Sequence, residues 1–254
     1  MTTITMIGHE GHGKSALAVA LTNTAGTKYN ILDSSGKVTK VKKLLSKLAQ
    51  ADVAVLVVSA LDGPMPQTRE HIILAKALRV SNLVVFVNKV DAVEDPEVLE
   101  LIELETRDLL TTYGYDGEAT AITYGSASLA LSGDTSILGL GAIDSLISHI
   151  DTSTIVTKTP VTTTHKKFSA VLNALDVYQG GRHTPIRSGF TPSFFFDVDT
   201  VTGAIETPID IAPGGEGAIV VSLIKATGLK VGSVFVVREG NKTIGTGTVL
   251  NIVE

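Results

Sequence analysis

The sequence contains no cysteine, which excludes disulfides and thiolate metal sites. No apolar run reaches the length that spans a bilayer. There is no excess of basic charge either: the formal net charge is -5. From Lys166 to the end, eight basic residues balance eight acidic ones, so the acidic excess lies before it. Neither part is a basic module of the kind that binds nucleic acid non-specifically, although a local patch could still bind RNA. MTTITMIGHE lacks the basic start and apolar core of a secretion signal, so the cytoplasm is the expected location. What remains is a chain of 254 residues, 44% hydrophobic, with ample length for one or two domains and a real core.

The first part alternates short apolar runs with helical stretches. TITMI (3–7), YNILD (29–33), VAVLVVSA (53–60) and LVVFVNK (83–89) read as strands. SALAVAL (15–21) and VKKLLSKLAQ (41–50) read as helices. Strands apolar on both faces suit a parallel sheet, and the alternation predicts a doubly wound α/β domain over 1–150. DTSTIVTKTPVTTT (151–164) is Thr-rich, carries Pro160 and has no helical period, which predicts a linker over 151–165. Over 166–254 the pattern turns all-β, in FSAVLNALDV, SFFFDVD, ETPIDIA, AIVVSLI, SVFVVRE and TVLNIVE. Turns such as GGRHTP, APGGEG and REGNKTIG separate these runs and predict a small β-barrel or sandwich. In FFF, Phe194 and Phe196 should share one face and Phe195 take the other.

Gly8-His9-Glu10-Gly11-His12-Gly13-Lys14-Ser15 fits G-x-x-x-x-G-K-[ST], after a strand and at the start of a helix. Glycines let the backbone wrap closely, so that N–H groups from Gly8 through Ala16 point at phosphate oxygens. Lys14 would meet the terminal phosphates and Ser15 would ligate Mg²⁺. Asn88-Lys89-Val90-Asp91 ends an apolar strand downstream. In P-loop GTPases this N-K-x-D element reads the base: the Asp carboxylate accepts two N–H bonds from guanine, a pair that adenine does not offer. Gly125-Ser126-Ala127, with Ser128, resembles the third base-contacting loop. Asp33-Ser34-Ser35-Gly36 is a D-x-x-G in which Asp33 would hold Mg²⁺ through water and the Gly36 N–H would sense the γ-phosphate. His9 and His12 are expected to shape the loop, and His71, His149 and His165 to be surface or packing residues. Lys40, Lys42, Lys43 and Lys47 are expected on a solvated helix face.

From Asp33 onward the chain resembles elongation factor Tu. VLVVSALDGPMPQTREHIILAKALRV (55–80), NKVDAVEDPEVLELIELETRDLL (88–110), GGRHTPIRSGFTPSFF (180–195) and REGNKTIGTG (238–247) carry the likeness. The resemblance implies a G domain followed by a barrel like that family's third domain. It also implies GTP or GDP as ligand, Mg²⁺ as cofactor, and the ribosome, tRNA or a nucleotide exchange factor as partners. Three departures stand out. Only 17 residues separate Ser15 from Asp33, where the family carries a longer insert with switch I and a metal-binding Thr. Thr22, Thr24 and Thr27 are the threonines left there. The family's middle barrel is missing. Lys37 stands where the family has a water-orienting His, and Glu10 and Gly11 stand where its loop has an apolar gate and an Asp. A charged ammonium holds a water but accepts no proton from it. Glu10 and Lys37 are expected either to pair across the γ-phosphate side or to point into solvent. Three functions follow: a slow nucleotide-dependent binding protein, a working GTPase that delivers aminoacyl-tRNA, or a non-switching scaffold that copies the factor's surface.

Overall fold

The computed structural model describes residues 1–32, 41–153, 163–196, 199–240 and 242–253, and side chains from residue 43 onward in the second of these stretches. They form two compact units that divide between Ser153 and Thr163.

The first unit is a five-stranded parallel sheet with helices. Its elements are β1 (Thr2–Ile7), α1 (Lys14–Ala25), β2 (Tyr29–Leu32), α2 (Val41–Gln50), β3 (Val53–Ser59), α3 (Pro66–Ala77), β4 (Asn82–Asn88), α4 (Pro96–Thr112), β5 (Ile122–Tyr124), α5 (Ala127–Leu131) and α6 (Leu140–Thr152). The strand order is β2-β1-β3-β4-β5, every pair parallel. β3 is central, and all seven of its residues are buried, as a run apolar on both faces requires. In α2, Leu44, Leu45 and Leu48 are buried, Lys43 is exposed as expected and Lys47 is half-buried, while the side chains of Lys40 and Lys42 lie outside the described residues. α4 begins at a cap, where the Asp95 carboxylate accepts the Glu97 N–H at 2.9 Å and Pro96 occupies the first turn.

In this strand order the chain reverses direction across the sheet between β1 and β3. Ligands of such sheets bind outside the carboxyl ends of the strands at that reversal. The segments after β1, β3, β4 and β5 all emerge at this edge. The connection from α1 to β2 does not. It is three residues, Gly26–Lys28, and Tyr29 pairs with Thr2 at the start of β1. That places it at the opposite edge, about 20 Å from the end of β1 at a strand rise near 3.3 Å. Lys28 and Tyr29 are tied there to Asp151 of α6, at 2.5 and 2.7 Å.

The second unit is a closed barrel of antiparallel pairs, β10-β11-β6-β9-β8-β7. Its strands are β6 (Thr164–Ala174), β7 (Ser193–Phe196), β8 (Asp199–Glu206), β9 (Glu216–Gly228), β10 (Val234–Glu239) and β11 (Lys242–Ile252). Phe168, Phe194, Phe196 and Phe235 fill it, with neighbouring ring centroids 5.5 to 6.4 Å apart. Phe194 and Phe196 face this core and Phe195 lies outside the cluster, so the alternation holds.

Two strand readings are corrected. ETPIDIA is not a strand: β8 ends at Glu206, Pro208 has no N–H to donate, and Ile211 makes only a single bridge to Ile186. The strand is the preceding Asp199–Glu206, whose core face offers Val201 and Ile205 about Gly203. KTIG belongs to β11 rather than to a turn. Its glycines are spaces for neighbours: a methyl at Gly247 would lie 2.4 Å from the Phe235 ring and 2.5 Å from the Val171 carbonyl. Gly247→Ala should therefore destabilise the barrel by about 2 kcal/mol in urea unfolding, as overpacked cores do. A change within error would contradict this packing.

Candidate nucleotide-binding site

The loop between β1 and α1 turns through three glycines with positive φ, Gly8 at 122°, Gly11 at 83° and Gly13 at 90°. Two of them are also required by their neighbours. A Cβ at Gly8 would meet the Val57 carbonyl at 2.2 Å, and one at Gly13 would meet the Asn88 amide at 2.1 Å. Lys14 opens α1, and its ammonium donates to the carbonyls of Gly8 at 3.0 Å and His9 at 2.5 Å. A cation is thereby held over the loop, beside the first-turn N–H groups that make helix N-termini attractive to anions. Glu10, Gly11 and Ser15 are exposed, and Ala16 is half-buried.

Asn88, the last residue of β4, joins this loop to the next. Its Nδ2 donates to the His12 carbonyl at 2.9 Å, and its Oδ1 accepts the Ala127 N–H at 2.9 Å. Its own carbonyl accepts the Ala60 N–H at 2.8 Å. Lys89 turns the chain with φ 64°, and Val90 then donates to Gly125 at 3.2 Å. Asp91 is exposed on the single 3-10 turn Val90–Ala92. Ser126 is buried and caps α5 by accepting the Leu129 N–H at 3.3 Å, while Ser128 is exposed beside it. The loop of Gly8 to Ala16, Asn88, Lys89, Asp91 and Ser126 to Ser128 thus gather at one edge of the sheet. Asp33, Gly36 and Lys37 lie outside the described residues, and with them the expected Glu10–Lys37 pair.

The threonines left near the missing insert do not reach this edge. Thr22 and Thr24 are on α1, with hydroxyls that donate to the carbonyls of Ala18 and Ala20 at 2.7 and 3.0 Å. Thr22 lies eight residues past Lys14, about 12 Å along the helix. Thr27 sits in the turn at the far edge. Among the described residues no cluster of three or more His, Asp or Glu could cage a metal. Mg²⁺ needs no cage: it keeps several waters and takes phosphate oxygens. The exposed Ser15 hydroxyl at the mouth of the loop suits that mode.

Two side chains on α3 support the loop. Of the surface or packing roles expected for His71, the structure gives it the packing one. It is 5% exposed, and its Nδ1 accepts the Gly8 N–H at 2.9 Å. Gln67, one helical turn earlier on α3, accepts the Glu10 N–H at 3.0 Å. The i, i+4 spacing of Gln67 and His71 was the available signal, since it puts both on one face. His12 shapes the loop as expected, with its ring 1% exposed beneath it. Burial pushes the His12 pKa down to about 4. Burial, and then the Lys14 charge, push that of His71 down to about 3.

Residues 18–176 match the family Elongation factor Tu GTP binding domain, and residues 161–253 match Elongation factor Tu C-terminal domain. The chain belongs to the elongation factor Tu family. It is a shortened form of that family, because the two matches overlap at residues 161–176 and leave no room for a second barrel between them. The family makes a guanine nucleotide the ligand and translation the setting. The first match begins at Ala18, so the reading of the glycine loop rests on its geometry. No helix among the described residues is long and apolar enough to cross a membrane.

Both histidines are neutral when folded and protonate near pH 6.5 once unfolded. The unfolded chain therefore binds more protons between these values, and folding stability rises with pH there. The contribution is complete above pH 6.5 and is lost as pH falls toward 4 for His12 and 3 for His71. Unfolding at pH 5 should take up close to two more protons than at pH 8, measured by denaturation across pH. His71→Asn, which keeps an acceptor, should remove about half of that slope.

Proposed function

We propose that the protein binds GDP and GTP at this edge, hydrolyses GTP slowly, and engages a translation-related partner according to the nucleotide bound. The observation that carries the slow step is the three-residue connection from α1 to β2, at the edge away from the glycine loop. No Thr from that connection completes a metal shell over the nucleotide. Phosphoryl transfer depends on positioning and on stabilising charge. Here the glycine loop and Lys14 bind the phosphates, and the Asp91 carboxylate selects guanine, with Lys89 and Ser126 to Ser128 around the base. Ser15, and Asp33 through water, would hold Mg²⁺, which would supply positive charge to the phosphates. By the order of the motifs, Gly36 and Lys37, which lie outside the described residues, would act at the γ-phosphate, and a Lys37 ammonium would hold a water without taking its proton. Glu10 adds negative charge on the exposed side of the loop.

The same short connection favours a second reading, in which the nucleotide is structural and the protein acts as a scaffold that copies the factor's surface. Delivery of aminoacyl-tRNA is the weaker reading, because in the resembled family the absent middle barrel helps hold the aminoacyl end.

Single-turnover hydrolysis of γ-labelled GTP tests the proposal. The protein should turn over slowly, and Lys37→His should raise the rate on the order of tenfold, a modest share of what general-base assistance supplies. Fast turnover by the unaltered protein would contradict it. GDP and GTP binding without turnover in either protein, with identical partner capture in both states, would favour the scaffold.

A further inference from the structure

His12 has a role beyond its carbonyl. Its ring lies under the glycine loop against the end of β3, 1% exposed. Nδ1 is 3.2 Å from the Ser59 N–H nitrogen and 3.3 Å from the Val57 carbonyl. Nε2 is buried and has no hydrogen-bond partner among the described residues. The group facing it is the half-exposed carboxylate of Asp62, with Oδ2 at 3.9 Å. The ring also faces His9, at 5.0 Å between centroids, and the Lys14 charge.

A neutral imidazole has one donor and one acceptor. If Nδ1 carried the proton, it would donate to the Val57 carbonyl, but Ser59 would lose its acceptor and a lone pair on Nε2 would face a carboxylate. If Nε2 carries it, the Val57 carbonyl gives up that donor, Nδ1 accepts from Ser59 and the N–H is aimed at Asp62. The second arrangement keeps the Ser59 bond, avoids two lone pairs facing each other at Nε2, and leaves the N–H a small side-chain movement from its acceptor. A buried N–H left unmade costs about 1–3 kcal/mol, more than a small movement of a half-exposed Asp side chain.

We propose that Asp62 is a positioning residue for nucleotide binding: its carboxylate accepts the His12 Nε2–H and so fixes the ring, and through it the loop segment that Asn88 also holds. Asp62 lies outside the phosphate, base and metal motifs of the sequence. The inference rests on the reading of this edge as a GDP and GTP site.

Two measurements test it. In nucleotide-free protein, a long-range nitrogen–proton spectrum of the imidazoles, assigned with His12→Gln, should show His12 protonated on Nε2. Release of a fluorescent GDP should speed up about tenfold in Asp62→Ala, equivalent to 1.4 kcal/mol. Asp62→Asn, which keeps an acceptor oxygen, should stay within about threefold and melt close to the parent, whereas Asp62→Ala, which leaves the buried N–H unpaired, should melt a few degrees lower. A proton on Nδ1, or unchanged GDP release from Asp62→Ala, would overturn the proposal. A parent protein that binds no GDP would overturn the functional reading instead, and the spectrum would still decide the hydrogen bond.

Discussion

The Asn88 side chain is the joint on which the site depends. Its amide donates to the loop after β1 and its carbonyl accepts from the loop after β5. It can bridge both because β4 ends next to β3, which ends next to β1, all pointing the same way. Gly13 is glycine because the Asn88 amide fills the place of its Cβ. A motif that reads as base recognition in the sequence is thus also a steric and hydrogen-bonding constraint on the loop for the phosphates.

From that joint the support spreads through neutral acceptors. His71 takes the Gly8 N–H, and Gln67 the Glu10 N–H. The Gly8 N–H is buried and would be costly to leave unpaired, so the loop is fixed by its surroundings as well as by its own glycines. The opposite edge shows the complementary economy. There Lys28 and Tyr29 fasten the short connection to Asp151, where the family has a long insert. The glycine-loop edge keeps its supports, and the connection from α1 to β2 is three residues long.

The parallel sheet and the glycine loop were legible because their signals are local. β3 is apolar at every position but its last, and the loop's glycines fall at fixed offsets from Lys14. The alternation in FFF placed Phe194 and Phe196 correctly in the barrel. What was not legible depends on partners distant in sequence. His71 reads as one more histidine until β1 brings Gly8 to it across 63 residues. Nothing local in the sequence shows why Gly203 and Gly247 are glycine; Leu223, Phe194 and Phe235 on other strands occupy the space beside them. The family match fixed the ligand class but began past the glycine loop. The residues expected to act on the γ-phosphate, Gly36 and Lys37, lie outside the described residues.

The central claim is that one side chain couples phosphate and base recognition at a guanine-nucleotide site. The most direct measurement is a calorimetric titration of nucleotide-free protein with GDP and with ADP, repeated on Asn88→Ala. GDP should bind and ADP should not, and the substitution should weaken GDP by at least about tenfold, as loss of a doubly bonded buried amide implies. Equal binding of GDP and ADP, or an Asn88→Ala protein that binds GDP like its parent, would contradict the account.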